Sequence, residues 1–189
     1  GVARMNRHRL LQNDGARIAD GVLLLDEAVT KPVIEPIDWR FRIKCSLRDT
    51  PSNLKISLGG ESAGKVDIFL SESQVKAIAG KATYEKKSDG GKYFEIYGDI
   101  ENRRVFISSK DNTILEFPLS EELGDKITWF SMSATDGRAA VDKLSFYSFV
   151  RNEPNPRMPI ITKMHFDEDF NSIPSMHNWY GAGYDDSQW

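Results

Sequence analysis

Between Trp39 and Leu47 the chain reads Trp-Arg-Phe-Arg-Ile-Lys-Cys-Ser-Leu, with every odd position apolar and every even one polar. Successive strand side chains point to opposite faces, so a period of two predicts a β-strand with one buried face. The pattern returns at Leu54, Ile56 and Leu58, set against Lys55 and Ser57, and after Gly59 to Lys65 it resumes at Val66, Ile68 and Leu70. That pair predicts a β-hairpin. Runs at 22–25, 75–79, 93–97, 103–107, 113–117, 127–132 and 141–149 continue the series, closed by Gly, Asp, Asn, Pro or Ser. Asp20-Gly21, Asp89-Gly90-Gly91 and Asp136-Gly137 supply turns in which Gly takes φ > 0. Helical spacing is confined to Ser120–Asp125, enough for one turn. Short strands recurring at roughly 8 to 14 residues predict an all-β, two-sheet antiparallel sandwich.

The series breaks at Pro154, Pro156 and Pro159, with Asn152 and Asn155 between them, because this stretch can donate few ladder bonds. The break divides the chain into a sandwich body over 1–151, a Pro/Asn-rich connection over 152–160 and an aromatic segment over 161–189. The last has strand character from Ile160 to Phe170, then Trp179, Tyr180, Tyr184 and Trp189, a content too aromatic for a disordered terminus.

Composition narrows the classes. With 189 residues, 40% hydrophobic, 28% charged and a net charge of -3, the chain has the makeup of an ordinary globular domain. That balance speaks against nucleic-acid binding, which needs clustered cations; the one basic cluster, Arg4, Arg7, His8 and Arg9, reads as a solvated arm. Cys45 is the single cysteine, so no intrachain disulfide or cysteine metal cluster can form, and its place in an alternating run makes it a core residue. No run approaches the ~18 apolar residues of a membrane span. Residues 1–13 lack the apolar core of a signal peptide. The chain starts at Gly1, which leaves room for a removed export signal and, with it, a secreted, periplasmic or cell-surface location.

Several motifs invite chemistry. Gly59 to Lys65 nearly matches a phosphate-cradling loop, but Val66 replaces the magnesium-holding hydroxyl and a strand follows where a helix is needed; a hairpin loop is the plainer reading. Ser52, Ser62 and Ser73 each precede a Lys by three residues, yet they lie on strands and loops, where that spacing does not share a face. His8, His165 and His177 lack metal-ligand spacing. Asp167 and Asp169 share one strand face while Glu168 points away, and with Asn171 and a loop carbonyl they would suit a hard cation such as Ca²⁺. The alternative is a solvated acidic edge. Glu95 and Asp99 flank Tyr97 on one face, with Tyr93 beside them, which sets carboxylates next to rings able to stack on sugars. An ordinary solvent face is the plainer reading there too.

Ala19 to Leu24, Trp39 to Ile43 and the Asp136-Gly137 turn followed by Val141-Asp142-Lys143-Leu144-Ser145-Phe146-Tyr147 together resemble the concanavalin A-like lectin/glucanase superfamily. Laminin G-like modules and the jelly-roll domains that accompany bacterial glycoside hydrolases belong to it. The resemblance covers about 16–150 and implies a jelly-roll sandwich. The glucanase branch carries Glu-x-Asp-x-x-Glu on one strand; no segment here has that spacing, which speaks against that activity. Such domains open with a Phe-x-Asp-Asp-Phe strand followed by Trp. Here Phe166-Asp167-Glu168-Asp169-Phe170, leading to Trp179, stands at the end. The resemblance thus implies either a circularly permuted sandwich or a second copy beginning near Lys163.

The expected function is a non-catalytic carbohydrate-recognition or accessory module, needing no cofactor, that binds an oligo- or polysaccharide through Tyr93, Tyr97 and Trp179. The alternatives are a glycoside hydrolase-like enzyme using Glu95 and Asp99, and a structural or adhesive domain without a small ligand. A returning strand left without a partner would make a strand-swapped homodimer.

Overall fold

The alternation at 39–47 becomes strand β3 in the computed structural model, which describes residues 15–48, 51–88, 90–110, 112–151 and 161–170. In β3, Arg40–Arg48, the side chains of Phe41, Ile43, Cys45 and Leu47 are buried and the alternate ones are not. The other apolar runs become β2 (Val22–Leu25), β4 (Asn53–Gly59), β5 (Lys65–Ser71), β6 (Gln74–Ala79), β8 (Tyr93–Asp99), β9 (Arg104–Ser109), β10 (Asn112–Pro118), β11 (Trp129–Ala134), β12 (Ala139–Val150) and β13 (Ile161–Asp169). Two further strands, β1 (Ala16–Ala19) and β7 (Ala82–Lys87), carry no such signal. A 3-10 turn, Glu121–Leu123, occupies the stretch read as one helical turn.

The strands form two antiparallel sheets. The larger runs β1-β2-β12-β3-β8-β9-β10, and the smaller runs β11-β4-β5-β6-β7. β12 is shared along one edge: Ala139 to Val141 pair with β2, while Lys143 to Val150 pair with β13. Its other edge pairs with β3. The last of the described strands, β13, thus lies beside β12.

Turn chemistry falls where the residues allow it. Asp20 and Gly21 take φ 53 and 77, the two positive values that a tight hairpin between β1 and β2 requires. Gly59 to Lys65 closes the β4–β5 hairpin, so the glycine-rich stretch is a turn and not a phosphate loop. A bridge from Thr30 to Met132 covers the edge of β11, and a second from Ile37 to Ile127 lies just before that strand.

Inward side chains from both sheets make one core. Phe146 on β12 stacks on Phe130 of the smaller sheet at 5.3 Å and meets Phe41 of β3 edge-on at 6.1 Å. Each such ring contributes about 1.5–3 kcal/mol by leaving water. Cys45 belongs to this core, where burial pushes its thiol up to about 12 and keeps it protonated.

Candidate functional site

Pairing brings five outward side chains into one line across the larger sheet. Met164 of β13 lies opposite Tyr147 of β12, Tyr147 opposite Arg42 of β3, Arg42 opposite Tyr97 of β8, and Tyr97 opposite Phe106 of β9. Directly opposed residues stand about 4.5–5.5 Å apart, so the line is a continuous strip of three rings and a methionine with a guanidinium in its middle. Its members belong to the solvent half of each strand's alternation and remain partly exposed.

Arg42 ties the strip together. Its Nε sits 2.7 Å from Glu95 Oε1, its Nη1 donates to the Tyr147 hydroxyl at 3.4 Å, and its guanidinium lies 5.4 Å from the centre of the Tyr97 ring. Burial works against its charge, but the Tyr147 hydrogen bond and the Glu95 carboxylate outweigh it and hold the pKa above the ordinary arginine value. Phe149 flanks both tyrosines, at 6.5 Å from Tyr97 and 5.7 Å from Tyr147, and Phe106 lies 6.1 Å from Tyr97. Lys44 stands 5.9 Å over Tyr147.

The residues singled out on β8 share this face. Tyr93 is 41% exposed, and burial raises its phenol pKa more than Lys44 lowers it. Glu95 is engaged by Arg42. Asp99 accepts hydrogen bonds from the Asn102 backbone at 3.0 Å and side chain at 2.8 Å, and lies 3.5 Å from Arg40. Burial alone would raise its pKa, but these partners more than reverse the effect and hold it below the usual carboxylate range. Four residues along a strand span about 13 Å, which puts Glu95 and Asp99 outside the ~5–10 Å window of a glycosidase pair.

On β13, Asp167 lies opposite Ser145, and Asp169 is 4.0 Å from Lys143, while Glu168 turns inward at 2% exposure, as the alternation requires. No group of three or more His, Cys, Asp or Glu converges among the described residues. Asn171 and Trp179 lie outside the described residues.

Arg42, Phe106, Tyr147 and Phe149 escape the sequence reading. Their signal is present, though: β12 places rings at Phe146, Tyr147 and Phe149, so one of its faces must carry aromatics away from the core. Concave features occur elsewhere. A cleft of about 640 Å³ opens between Ser52, the Ser71 to Ser73 turn and Lys87, without an aromatic ring among the described residues that line it. A neighbouring one of about 340 Å³ includes Phe69, whose ring is already attended by Lys55 and Lys76 at 5.6 and 5.4 Å.

No protein family matches the chain, and no curated protein does. Among solved structures, the carbohydrate binding module CBM66 from Bacillus subtilis is similar with a TM-score of 0.50 at 12% identity, over 71% of this chain and 91% of that one. This protein has a concanavalin A-like jelly-roll fold. The jelly roll described here also aligns with the TRIM65 PSpry domain, at a TM-score of 0.49 and 8% identity over 69% of this chain and 84% of that one. A tetrameric galectin from the ball sponge Cinachyrella gives 0.45 and 12%, over 62% and 98%.

Proposed function

We propose that this jelly roll is a carbohydrate-recognition module that holds an oligo- or polysaccharide on the outward face of its larger sheet without cleaving it. The observation that carries the reading is the in-register strip Tyr147, Arg42, Tyr97, Phe106. Its rings offer apolar faces to pyranose C–H groups, while Arg42, Glu95 and Lys44 supply donors and an acceptor for hydroxyls. An open strip suits an extended chain better than a single buried sugar. Tyr93 lies on the same face and lengthens it. The name of the Bacillus subtilis neighbour agrees with this reading.

The hydrolase alternative needs one carboxyl that keeps a proton near neutral pH. Asp99 is shifted the other way, and Glu95 faces a permanent cation. Binding without cleavage therefore fits the face better.

A glycan array followed by calorimetry tests the proposal. Tyr97→Ala is expected to weaken the best ligand at least tenfold, about 1.4 kcal/mol, with folding retained. Binding is expected to survive EDTA, since the strip needs no metal; a calcium dependence would shift attention to Asp167 and Asp169. Release of reducing sugar that is abolished by Glu95→Gln would establish the hydrolase instead. An array with no hits, together with no sugar release, would favour a structural or adhesive domain.

A further inference from the structure

β13 is attached to the sandwich along one edge. Among the described residues it pairs with β12 alone, and a surface ion pair joins its Lys163 to Glu35. It nevertheless sends Phe166 inside at 3% exposure, and Phe170, the residue that follows the strand, is buried at 0%. Phe166 lies 6.1 Å from Phe146 of the larger sheet and 5.8 Å from Phe130 of the smaller, so this one strand plugs the seam between the layers. Without it, β12 would present unpaired backbone groups beside an open apolar slot, an arrangement that captures strands.

The chain between the two partners contains Pro154, Pro156 and Pro159. Proline fixes φ and donates no ladder bond, so this sequence lacks the chemistry of a tight hairpin turn. A strand bonded on one edge, beginning at Ile161 when its partner ends at Val150, can be replaced by the identical strand of another molecule. Both arrangements make the same pairs and bury the same rings, and only the connection differs.

We propose that β13 is exchanged between two copies of this chain, each filling the slot beside the other's β12. Contacts now made within one chain become contacts between chains, with Ser145 facing the other copy's Asp167 and Phe146 facing its Phe166. Met164 ends the outward strip, so each strip takes its last side chain from the second copy; that corollary alone rests on the carbohydrate reading.

The test mixes full-length chains carrying Ser145→Cys with others carrying Asp167→Cys, concentrates the mixture, dilutes it and oxidises it. Residues opposed in an antiparallel pair have Cα atoms about 4.5–5.5 Å apart, within disulfide reach. Both positions lie on the outward face, and Cys45 is buried out of reach. The expected product is a covalent heterodimer that increases with protein concentration, well above that from pairing Lys87→Cys with Asp167→Cys. An equal yield in that control would mean random collision and would overturn the proposal. So would a doubly substituted chain that forms only intrachain disulfides, or an unsubstituted chain whose light-scattering mass stays monomeric at every concentration.

Discussion

Arg42 meets a carboxylate, a phenol hydroxyl and a ring face at once, and only a planar guanidinium has the geometry for all three. A lysine there would satisfy one partner at a time. Arg42→Lys is therefore expected to weaken glycan binding several-fold in calorimetry while changing stability by less than about 1 kcal/mol, the scale of a partly exposed ion pair. Gly98 acts on the other side of the same sheet. A Cβ there would stand 2.1 Å from the ring of Phe41, its cross-strand partner. Gly98→Ala should cost about 1–3 kcal/mol by forcing that buried ring aside, visible as a lower urea midpoint at unchanged m. The burial of Phe41 is legible in the alternation of 39–47; the glycine it needs, Gly98, lies far along the chain and becomes meaningful only once β3 and β8 are paired.

Among the elements, β7 shows where period-two reading stops. Ala82–Lys87 keeps only Tyr84 half-buried, stacked on Phe117 at 5.5 Å, so it has no apolar alternation to detect. It is a strand because β6 offers it an edge. Lys86 lies opposite the buried Val75 yet stays exposed, an inward-parity charge on an edge strand of the kind that discourages further pairing. Lys86→Val is expected to raise self-association, measured by light scattering. β13 was readable as a strand, but not its bulge: Phe146 and Tyr147 face Phe166 and Met164, leaving His165 as the extra residue. Burial, assisted by Lys163, pushes the His165 imidazole down to about 4. The unfolded chain then takes up a proton near pH 6.5 that the folded one refuses until about pH 4. The contribution is therefore fully present above that window and is lost as pH falls through it. Melting temperature should fall between pH 6.5 and 4, and His165→Gln should flatten that part of the profile, with the carboxylate contribution common to both proteins.

For the molecule as a whole, alternation was enough to announce two layers and a dry interior, because it records which side of each strand avoids water. It carries no information about which strand lies next to which. That is why the β8 face from Tyr93 to Asp99 could be named from one segment, whereas Arg42, Phe106 and Tyr147 needed sheet order to join it. The aromatic seam is where the layers depend on each other: Phe130 packs on Phe146 and Phe166 from the opposite sheet. Phe130→Ala is expected to cost about 3–5 kcal/mol in chemical denaturation, whereas Phe69→Ala, on an outward face, should cost much less.

The position of β12 also bears on how such a chain is made. It joins β3 on one side to segments near both ends of the described chain on the other, yet eleven of the described strands precede it, its partners β2 and β3 among them. A polypeptide emerging from a ribosome at about 5–20 residues per second would leave the edges of β2 and β3 without their shared partner for on the order of ten seconds. During that interval the nascent chain is most exposed to wrong pairing, and a chaperone that shields open strands would have the most to do.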